Sequence, residues 1–568
     1  MITQKRWILS DADADTVAQL QQSLKIHPVI CKLLAIRGID TYDKAKAFFR
    51  PSLADLHDPF LMKDMDKAIE RIEQAIASEE KIMIYGDYDV DGTTAVALVY
   101  SFFREFYNHL LYYIPNRYTE GYGISFDGMD FAFENQVKLI ISLDCGIKAN
   151  DKIAYAKEKG MDFIVCDHHL PGEELPDAVA ILDPKRKDCT YPFDELSGCG
   201  IGFKLIQAFC IKNNIAIEKA YQQLDLVATS IASDLVQITG ENRILAKFGM
   251  DKVNENPRAG FKALLNELKI DKKLEISDLV FIIGPRINAA GRIAHGSEAV
   301  ELLIENDLNI ALEKTKKVQQ NNDERKNLDK DITEEAFSML ESSVEYADRK
   351  STVLFQSHWH KGVIGIVASR LIEKFHRPTI VLAASNGKAV GSGRSVPGFD
   401  LHDAIETCSE YLVQFGGHKY AAGLTIELDN IDAFSAAFEK IVSERITSEQ
   451  LIPQIEIDAE IELEDINEKF YNIVEQMAPF GPGNMRPNFI TREVYDTGFS
   501  KILKDNHLKL NILKDGQHPK NGIAFGMGDF FKMLESNETV DICYQLYANV
   551  WNNQTKIEFR LKDMKPSA

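Results

Sequence analysis

Between residues 81 and 182 the apolar positions come in short, unbroken runs. They are Ile82-Met83-Ile84-Tyr85, Leu111-Tyr112-Tyr113-Ile114, Val137 to Leu143, Met161 to Cys166 and Ala178 to Leu182. Helical stretches such as DKIAYAKEKG at 151–160 lie between them. That alternation predicts a parallel sheet buried on both faces. Ahead of it, TVAQLQQSL, HPVICKLLAIRG and TYDKAKAFF read as short helices, and PSLADLHDPFLM as a loop. DKAIERIEQAIASE, 66–79, reads as an amphipathic helix with Ile69, Ile72 and Ile76 on one face. Beyond Gly198, LDLVATSIASDLVQI predicts a buried helix with Asp234 within it or at its end.

From 298 to about 344 the pattern turns long, polar and helical, as in a solvated helix joining two domains. A second α/β unit starts at Thr352: strand TVLF, helix GVIGIVASRLIEKF, strand TIVLA. It carries two glycine-rich stretches read as loops, GKAVGSGRS at 387–395 and FGGHKYAAG at 415–423. From about 453 short strands alternate with turns, which suits a small β-barrel of OB-fold size. The expected domains are a helical segment 1–75, a catalytic α/β domain 76–297, a connector 298–345, a second α/β domain 346–450 and a barrel 453–568. A chain of 568 residues has room for about three or four domains.

A net charge of −21 argues against coating nucleic acid by bulk electrostatics. It leaves room for a local basic groove, and in 501–568 Lys and Arg outnumber Asp and Glu by 10 to 8. None of the eight cysteines forms a CxxC pair, which removes zinc-ribbon and thioredoxin-like readings and fits a reduced cytoplasmic protein. MITQKRWILSDAD lacks the apolar core of a signal peptide, and no run of 18 apolar residues occurs. The expectation is a soluble intracellular protein.

The chemistry begins at GDYDVDG, where the first apolar run ends in Gly86 and Asp87, Asp89 and Asp91 follow at alternate positions. Thr93 and Thr94 are expected to cap the next helix. Carboxylates this close repel one another unless cations neutralise them, and hard oxygen ligands suit Mg²⁺ or Mn²⁺. Spacing alone proves little: Asp11, Asp13 and Asp15 share it, yet they read as a helix start without metal. What separates GDYDVDG is the rest of its sheet. The next buried runs end in Asp144 and in Asp167-His168-His169, and parallel strand ends lie along one edge. Carboxylates and histidines converging there match a two-metal phosphoryl-transfer site.

GDYDVDG, SLDCG and CDHH, in that order, resemble motifs I to III of the DHH phosphoesterase superfamily, and Asp234 in SDLV resembles its motif IV. Within the superfamily, PNRYTEGYG (115–123), GPRINAAGR (284–292), HKGVIGIVASRL (360–371), GSGRS (391–395), FGGHKYAAG and PFGPGN resemble the RecJ branch. That resemblance implies a DHH domain, a second α/β domain joined to it by a long helix, and a C-terminal OB-like barrel. It further implies a 5′→3′ exonuclease specific for single-stranded DNA that uses two divalent cations, Mn²⁺ or Mg²⁺. Asp89, Asp91, Asp144, His168 and Asp234 would be the metal ligands, Asp144 bridging, and Asp87, His169 and Arg292 would assist catalysis. Asp167 would orient a histidine. Arg117, Arg286, Asn288, Ser392, Arg394 and His418 would contact the strand. The implied partners are single-stranded DNA, a single-strand-binding protein and a helicase, with a monomeric enzyme and no membrane. A DHH hydrolase of small substrates and a non-catalytic DNA-binding scaffold are the alternatives.

Overall fold

A computed structural model describes residues 5–535, 538–551 and 554–567. The chain divides into two compact units, one of residues 9–320 with 457 onward, the other of residues 321–456 with the N-terminal residues up to 8.

In the first unit, helices Ala14–Leu24, Pro28–Ile36, Tyr42–Phe49 and Met65–Ala77 precede the sheet, and short 3-10 turns break the 51–62 loop. Asp13 caps the first of these helices, its carboxylate accepting the Thr16 N–H at 2.8 Å, as the helix-start reading of that acidic run requires. The sheet then alternates with helices: β1 (Lys81–Gly86), α1 (Val90–Phe103), β2 (Leu110–Tyr113), α2 (Phe126–Glu134), β3 (Val137–Leu143), α3 (Asn150–Glu158), β4 (Asp162–Cys166) and β5 (Ala180–Leu182). All five strands are parallel, in the order β2-β1-β3-β4-β5.

Successive strand residues feed two cores. Ile82, Ile84, Leu139, Ile141 and Ile164 face one cluster with α1, α4 (Gly198–Lys212) and α5 (Leu224–Ser233). Met83, Tyr85, Ile140, Phe163 and Val165 face the other, with α2 and α3. Burial on both faces is why these strands read as unbroken apolar runs.

Strand order reverses between β1 and β3, and such a switch point opens a crevice at the carboxyl edge. The register makes that edge flush. Gly86 pairs with Leu143, Leu143 with Cys166, and Cys166 with Leu182. The next residue on each strand is an aspartate: Asp87, Asp144, Asp167 and Asp183.

Helix α6 (Gly284–Ile293) follows in this unit, and α7 (Leu308–Ser342) runs on into the second unit. There α7 is more than a solvated connector. Ile332, Ala336 and Leu340 are buried against the second core, and buried Asp329 accepts a two-pronged contact from Arg370.

The second unit contains β6 (Thr352–Gln356), α8 (Ile364–Phe375), β7 (Thr379–Ser385), β8 (Lys388–Arg394), β9 (Leu412–His418) and β10 (Ala421–Glu427). They form one sheet, β9-β10-β8-β7-β6, parallel only between β6 and β7. The glycine-rich stretches are therefore mostly strand, not loop. Gly391 and Gly393 lie where a Cβ would press on Leu382 and Leu401, so glycine serves close packing there.

The C-terminal part of the first unit is an OB-like barrel of β11 (Phe489–Asp496), β12 (Leu508–Leu513), β13 (Lys520–Ala524), β14 (Val540–Trp551) and β15 (Gln554–Pro566). Pairing runs β11-β14-β15-β13-β12 and returns to β11 through Tyr495↔Leu513. That return closes the ring of these five strands.

Candidate active site

The loop after β1 is shaped by α1 folding back over it. A Cβ on Gly92 would overlap the Asp87 backbone, so the second glycine of GDYDVDG is required by close approach. Asp89, not Thr93 or Thr94, caps α1, its Oδ1 accepting the Gly92 N–H at 3.0 Å. The two threonines sit inside the helix and donate to backbone carbonyls one turn back. A carboxylate thus takes the cap and stays at the sheet edge.

Asp87 is fully buried. Its Oδ1 accepts the Gly123 N–H at 3.0 Å, while Oδ2 has no hydrogen-bond partner. Asp91 accepts the N–H groups of Gly198 (2.7 Å) and Cys199 (2.8 Å) at the start of α4, and the Ser230 hydroxyl (2.7 Å) from α5. Asp144 holds φ +61°, a left-handed turn that swings its carboxylate back over the edge. Gly198 makes room for it, since a Cβ there would lie 2.6 Å from the Asp144 Cβ.

His168 Nε2 stands among three carboxylates, 3.1 Å from Asp144 Oδ1 and 3.7 Å from both Asp91 Oδ2 and Asp234 Oδ2. Asp234 reaches this group from the C-terminus of α5. Asp167 is saturated: it accepts the N–H groups of Ile147, His168 and His169 and, at 2.7 Å, His169 Nδ1. The other ring nitrogen of His169 lies 3.3 Å from the Tyr122 hydroxyl.

Electrostatics set these groups apart. Burial, then the neighbouring carboxylates, pushes Asp87, Asp89 and Asp144 above the usual carboxylate range, and Asp234 to about 8. Burial also lowers His168, keeping its imidazole neutral. Asp167 goes the other way. Burial opposes its ionisation, but the His169 hydrogen bond and charge win and hold it at about 2. His169 is raised to about 8, the Asp167 contact outweighing burial.

So many carboxyl groups forced toward protonation at one buried edge is the signature of a missing positive charge. Oxygen donors with one neutral imidazole suit Mn²⁺ or Mg²⁺. Among the described residues two sets bring ligand atoms within 4.8 Å of one another: Asp144, His168 and His169, and Asp91, His168 and Asp234. Asp89 lies outside both sets, and its carboxyl is among the neighbours that raise Asp144.

A basic rim borders the acidic edge. The Arg117 guanidinium lies 4.8 Å from the Tyr88 ring centre, and Tyr118 donates its hydroxyl to the Arg292 carbonyl. Arg286 is buried on α6, donating to Ile282 O (2.6 Å) and to Gln319 Oε1 (2.8 Å). Asn288 has a buried Oδ1 with no hydrogen-bond partner. Ser392, Arg394 and His418 lie in the second unit. Arg394 pairs with Ala421, and Ala421 with His418, so all three share one face. Ser392 lies two residues along that face, opposite Gly423, and Gly423 opposite Gly416.

Sequence reasoning missed Asp183, Ser230 and Tyr122 as site neighbours. Asp183, raised to about 7 by burial, ends its strand as the other aspartates do and was legible on that ground. Ser230 sits one helical turn before Asp234. Tyr122 lies within PNRYTEGYG, the stretch that marked Arg117, and was passed over there.

Residues 81–231 match the DHH family N-terminal domain, 348–444 the DHHA1 domain and 457–563 the RecJ OB domain. The single-stranded-DNA-specific exonuclease RecJ of Bacillus subtilis is 35% identical over 99% of this chain and 71% of its own length. The protein of that name from Escherichia coli is 30% identical over 98% of both. Among solved structures, RecJ of Thermus thermophilus in complex with Mn²⁺ superimposes with a TM-score of 0.85 at 24% identity, covering 99% of this chain and 80% of that one. An exonuclease RecJ bound to manganese covers 70% of this chain and 98% of its own, at 28% identity and a TM-score of 0.59. With its DHH, DHHA1 and OB domains in that order and full-length identity to such relatives, the chain belongs to the RecJ family.

Proposed function

We propose that the chain is a metal-dependent exonuclease that degrades single-stranded DNA from the 5′ end, releases 5′-mononucleotides and serves DNA recombination and repair. The flush row of aspartates at the switch point, with His168 among Asp91, Asp144 and Asp234, carries this reading. The relatives' name, single-stranded-DNA-specific exonuclease, supports the substrate.

Asp89, Asp91, Asp144, His168 and Asp234 would hold two cations, Mn²⁺ or Mg²⁺, with Asp144 between them and Asp87 beside the first. Cations bound there supply an activated water and neutralise charge building on the phosphodiester. The chain supplies orientation. Three donors fix Asp91, and burial keeps the His168 lone pair free of a proton. Asp167 orients His169 through Nδ1 and favours its charged form, whose Nε2–H can donate to a phosphate oxygen. Arg117 and Arg292 would steady the strand at the rim, with Arg286 and Asn288 shaping α6 beneath it.

Cations should stabilise this fold, because the folded edge binds them and the unfolded chain does not. Adding Mn²⁺ at a hundred times its Kd to chelator-treated protein is expected to contribute about 2.7 kcal/mol. A thermal melt should rise by several degrees with Mn²⁺; an unchanged melt counts against the site.

The barrel would hold the strand by stacking. Phe525 is 53% exposed, its ring centre lies 5.1 Å from that of the perpendicular His507 ring, and the Arg560 guanidinium lies 5.2 Å from its centre and 5.3 Å from that of Tyr547. Phe525→Ala is expected to weaken binding of long single strands by about 1–3 kcal/mol. Cleavage of very short oligonucleotides should hold, and fluorescence anisotropy beside a short-substrate assay would separate the two.

The reading includes a monomeric, cytoplasmic enzyme, fed by a helicase that opens duplex and working with a single-strand-binding protein. Among the described residues no helix is long and apolar enough to cross a membrane. The deciding experiment offers 5′- and 3′-labelled single strands and duplexes with Mn²⁺. Early release of the 5′ label as mononucleotide, from single strands only, is expected. Binding without cleavage would make the chain a scaffold, and cleavage confined to dinucleotides would make it a small-substrate hydrolase.

A further inference from the structure

Asp234 is the one proposed ligand that comes from the C-terminal end of a helix rather than from the segment that follows a strand. It closes α5, its N–H donating to Ser230 O at 2.9 Å, and its side chain is more exposed than those of Asp91, Asp144 and His168. The next residue, Leu235, holds φ +57° with its side chain exposed. A bulky residue keeps that left-handed conformation only where its surroundings impose it.

The segment that follows is held by a contact from the far end of the chain. Ile238 is fully buried, and its N–H donates to Pro482 O at 2.7 Å. Pro482 lies in the turn 479–484, PFGPGN, which leads into the barrel. The fit is tight. A Cβ on Gly481 would overlap Ile238 Cδ1, and one on Gly483 would overlap Gln237 Oε1 and lie 2.9 Å from Thr239 Cγ2. Ile238 is fully buried, so its side chain can yield only by moving its neighbours.

The turn is itself fixed. Gly481 and Asn484 exchange backbone hydrogen bonds of 3.0 and 2.8 Å, and Asn484 Nδ2 donates to Met477 O and Pro479 O. Arg37 donates to Asn484 Oδ1 at 2.9 Å, and Arg243 to Met477 O at 2.7 Å and Ala478 O at 3.0 Å. A clamped turn thus presses on the segment that starts at Asp234.

We propose that the PFGPGN turn is a positioning element of the metal site: by seating Ile238 it sets where the chain leaves α5, and so where the Asp234 carboxylate stands beside Asp91 and His168. This rests on Asp234 being a metal ligand. It makes the approach to the DNA-binding barrel part of the catalytic apparatus rather than a linker.

The test is Mn²⁺ binding to the full-length protein without DNA, by calorimetry and by the electron paramagnetic resonance of the bound ions. Gly481→Ala should fold and bind one Mn²⁺ as wild type does, while the other weakens at least tenfold. Adding Ile238→Val removes the overlapping Cδ1 and should restore both the affinity and the spectrum. Wild-type binding of both ions by Gly481→Ala, or no rescue in the double variant, overturns the proposal. Should Gly481→Ala fail to fold, Ile238→Ala opens the same contact without adding an atom, and unchanged Mn²⁺ binding there is equally fatal. Asp234→Ala runs in parallel. Loss of one ion there with no effect of Gly481→Ala sinks the positioning role alone. Retention of both ions sinks the ligand assignment, and the positioning role with it.

Discussion

Asp144→Asn is expected to abolish hydrolysis while the apo-protein melts no lower than wild type. Asp144 stands at the centre of the acidic edge, beside the carboxylates of Asp89 and Asp91 and 3.1 Å from His168 Nε2. In the proposed site it would be the carboxylate shared between the two cations. Loss of its charge should cost on the order of a thousandfold in rate, about 4 kcal/mol of barrier. Stability should move the opposite way. Without cations Asp144 is buried among like charges and pushed well above the usual carboxylate range, so a neutral amide relieves the apo-protein. Asparagine is the right replacement because residue 144 holds φ +61°, which asparagine tolerates and alanine does not. Single-strand binding in Ca²⁺ should survive, since the bases are held elsewhere. Retention of more than a few per cent of wild-type cleavage in Mn²⁺ would remove Asp144 from the bridging position.

The strands of the catalytic sheet were legible because both of their faces are buried. That requirement writes each one as an apolar run, and each run ends where the chain leaves the core. The flush register was not legible. Nothing in the sequence says that Gly86, Leu143, Cys166 and Leu182 share one row, yet that pairing aligns the four aspartates after them.

Local chemistry misled in two places. Thr93 and Thr94 are good caps by type, but Asp89 lies where the helix starts and takes the Gly92 N–H. The glycines of GSGRS and FGGHKYAAG signal loops by propensity, whereas in the second unit they are strand positions. Gly391 and Gly393 are pressed by neighbouring side chains, and Gly416 and Gly423 leave the other face open. Propensity describes a residue's freedom, and tertiary packing decides how that freedom is used. PFGPGN shows the same limit. As sequence it marks a turn before a barrel, and only the contact between Pro482 and Ile238 ties it to the site.

Arg394→Ala is expected to raise KM for 5′-phosphorylated strands by roughly tenfold to a hundredfold, the about 1.5–3 kcal/mol of a charge-assisted hydrogen bond. KM for 5′-hydroxyl strands should change far less. A 5′→3′ enzyme must tell one strand end from the other, and a terminal phosphate carries more charge than an internal diester. Arg394 suits that task because it is a half-buried cation whose hydrogen bonds go to neutral groups, Ser392 Oγ at 3.1 Å and Gly393 O at 2.8 Å. Burial alone pulls its pKa down, with no carboxylate beside it to compensate. A guanidinium in that state gains most from an incoming dianion. The surroundings admit one. Gly365, in the first turn of α8, lies against Ser392 and Arg394, and no side chain at Gly416 or Gly423 covers the face they share. Arg394→Lys should recover only part of the effect, since an ammonium keeps the charge and loses the fork. Steady-state kinetics on matched 5′-phosphate and 5′-hydroxyl oligonucleotides decide the matter. Equal loss on both substrates would mean that β8 had been disturbed, and an unchanged preference would place recognition of the 5′ end at other residues.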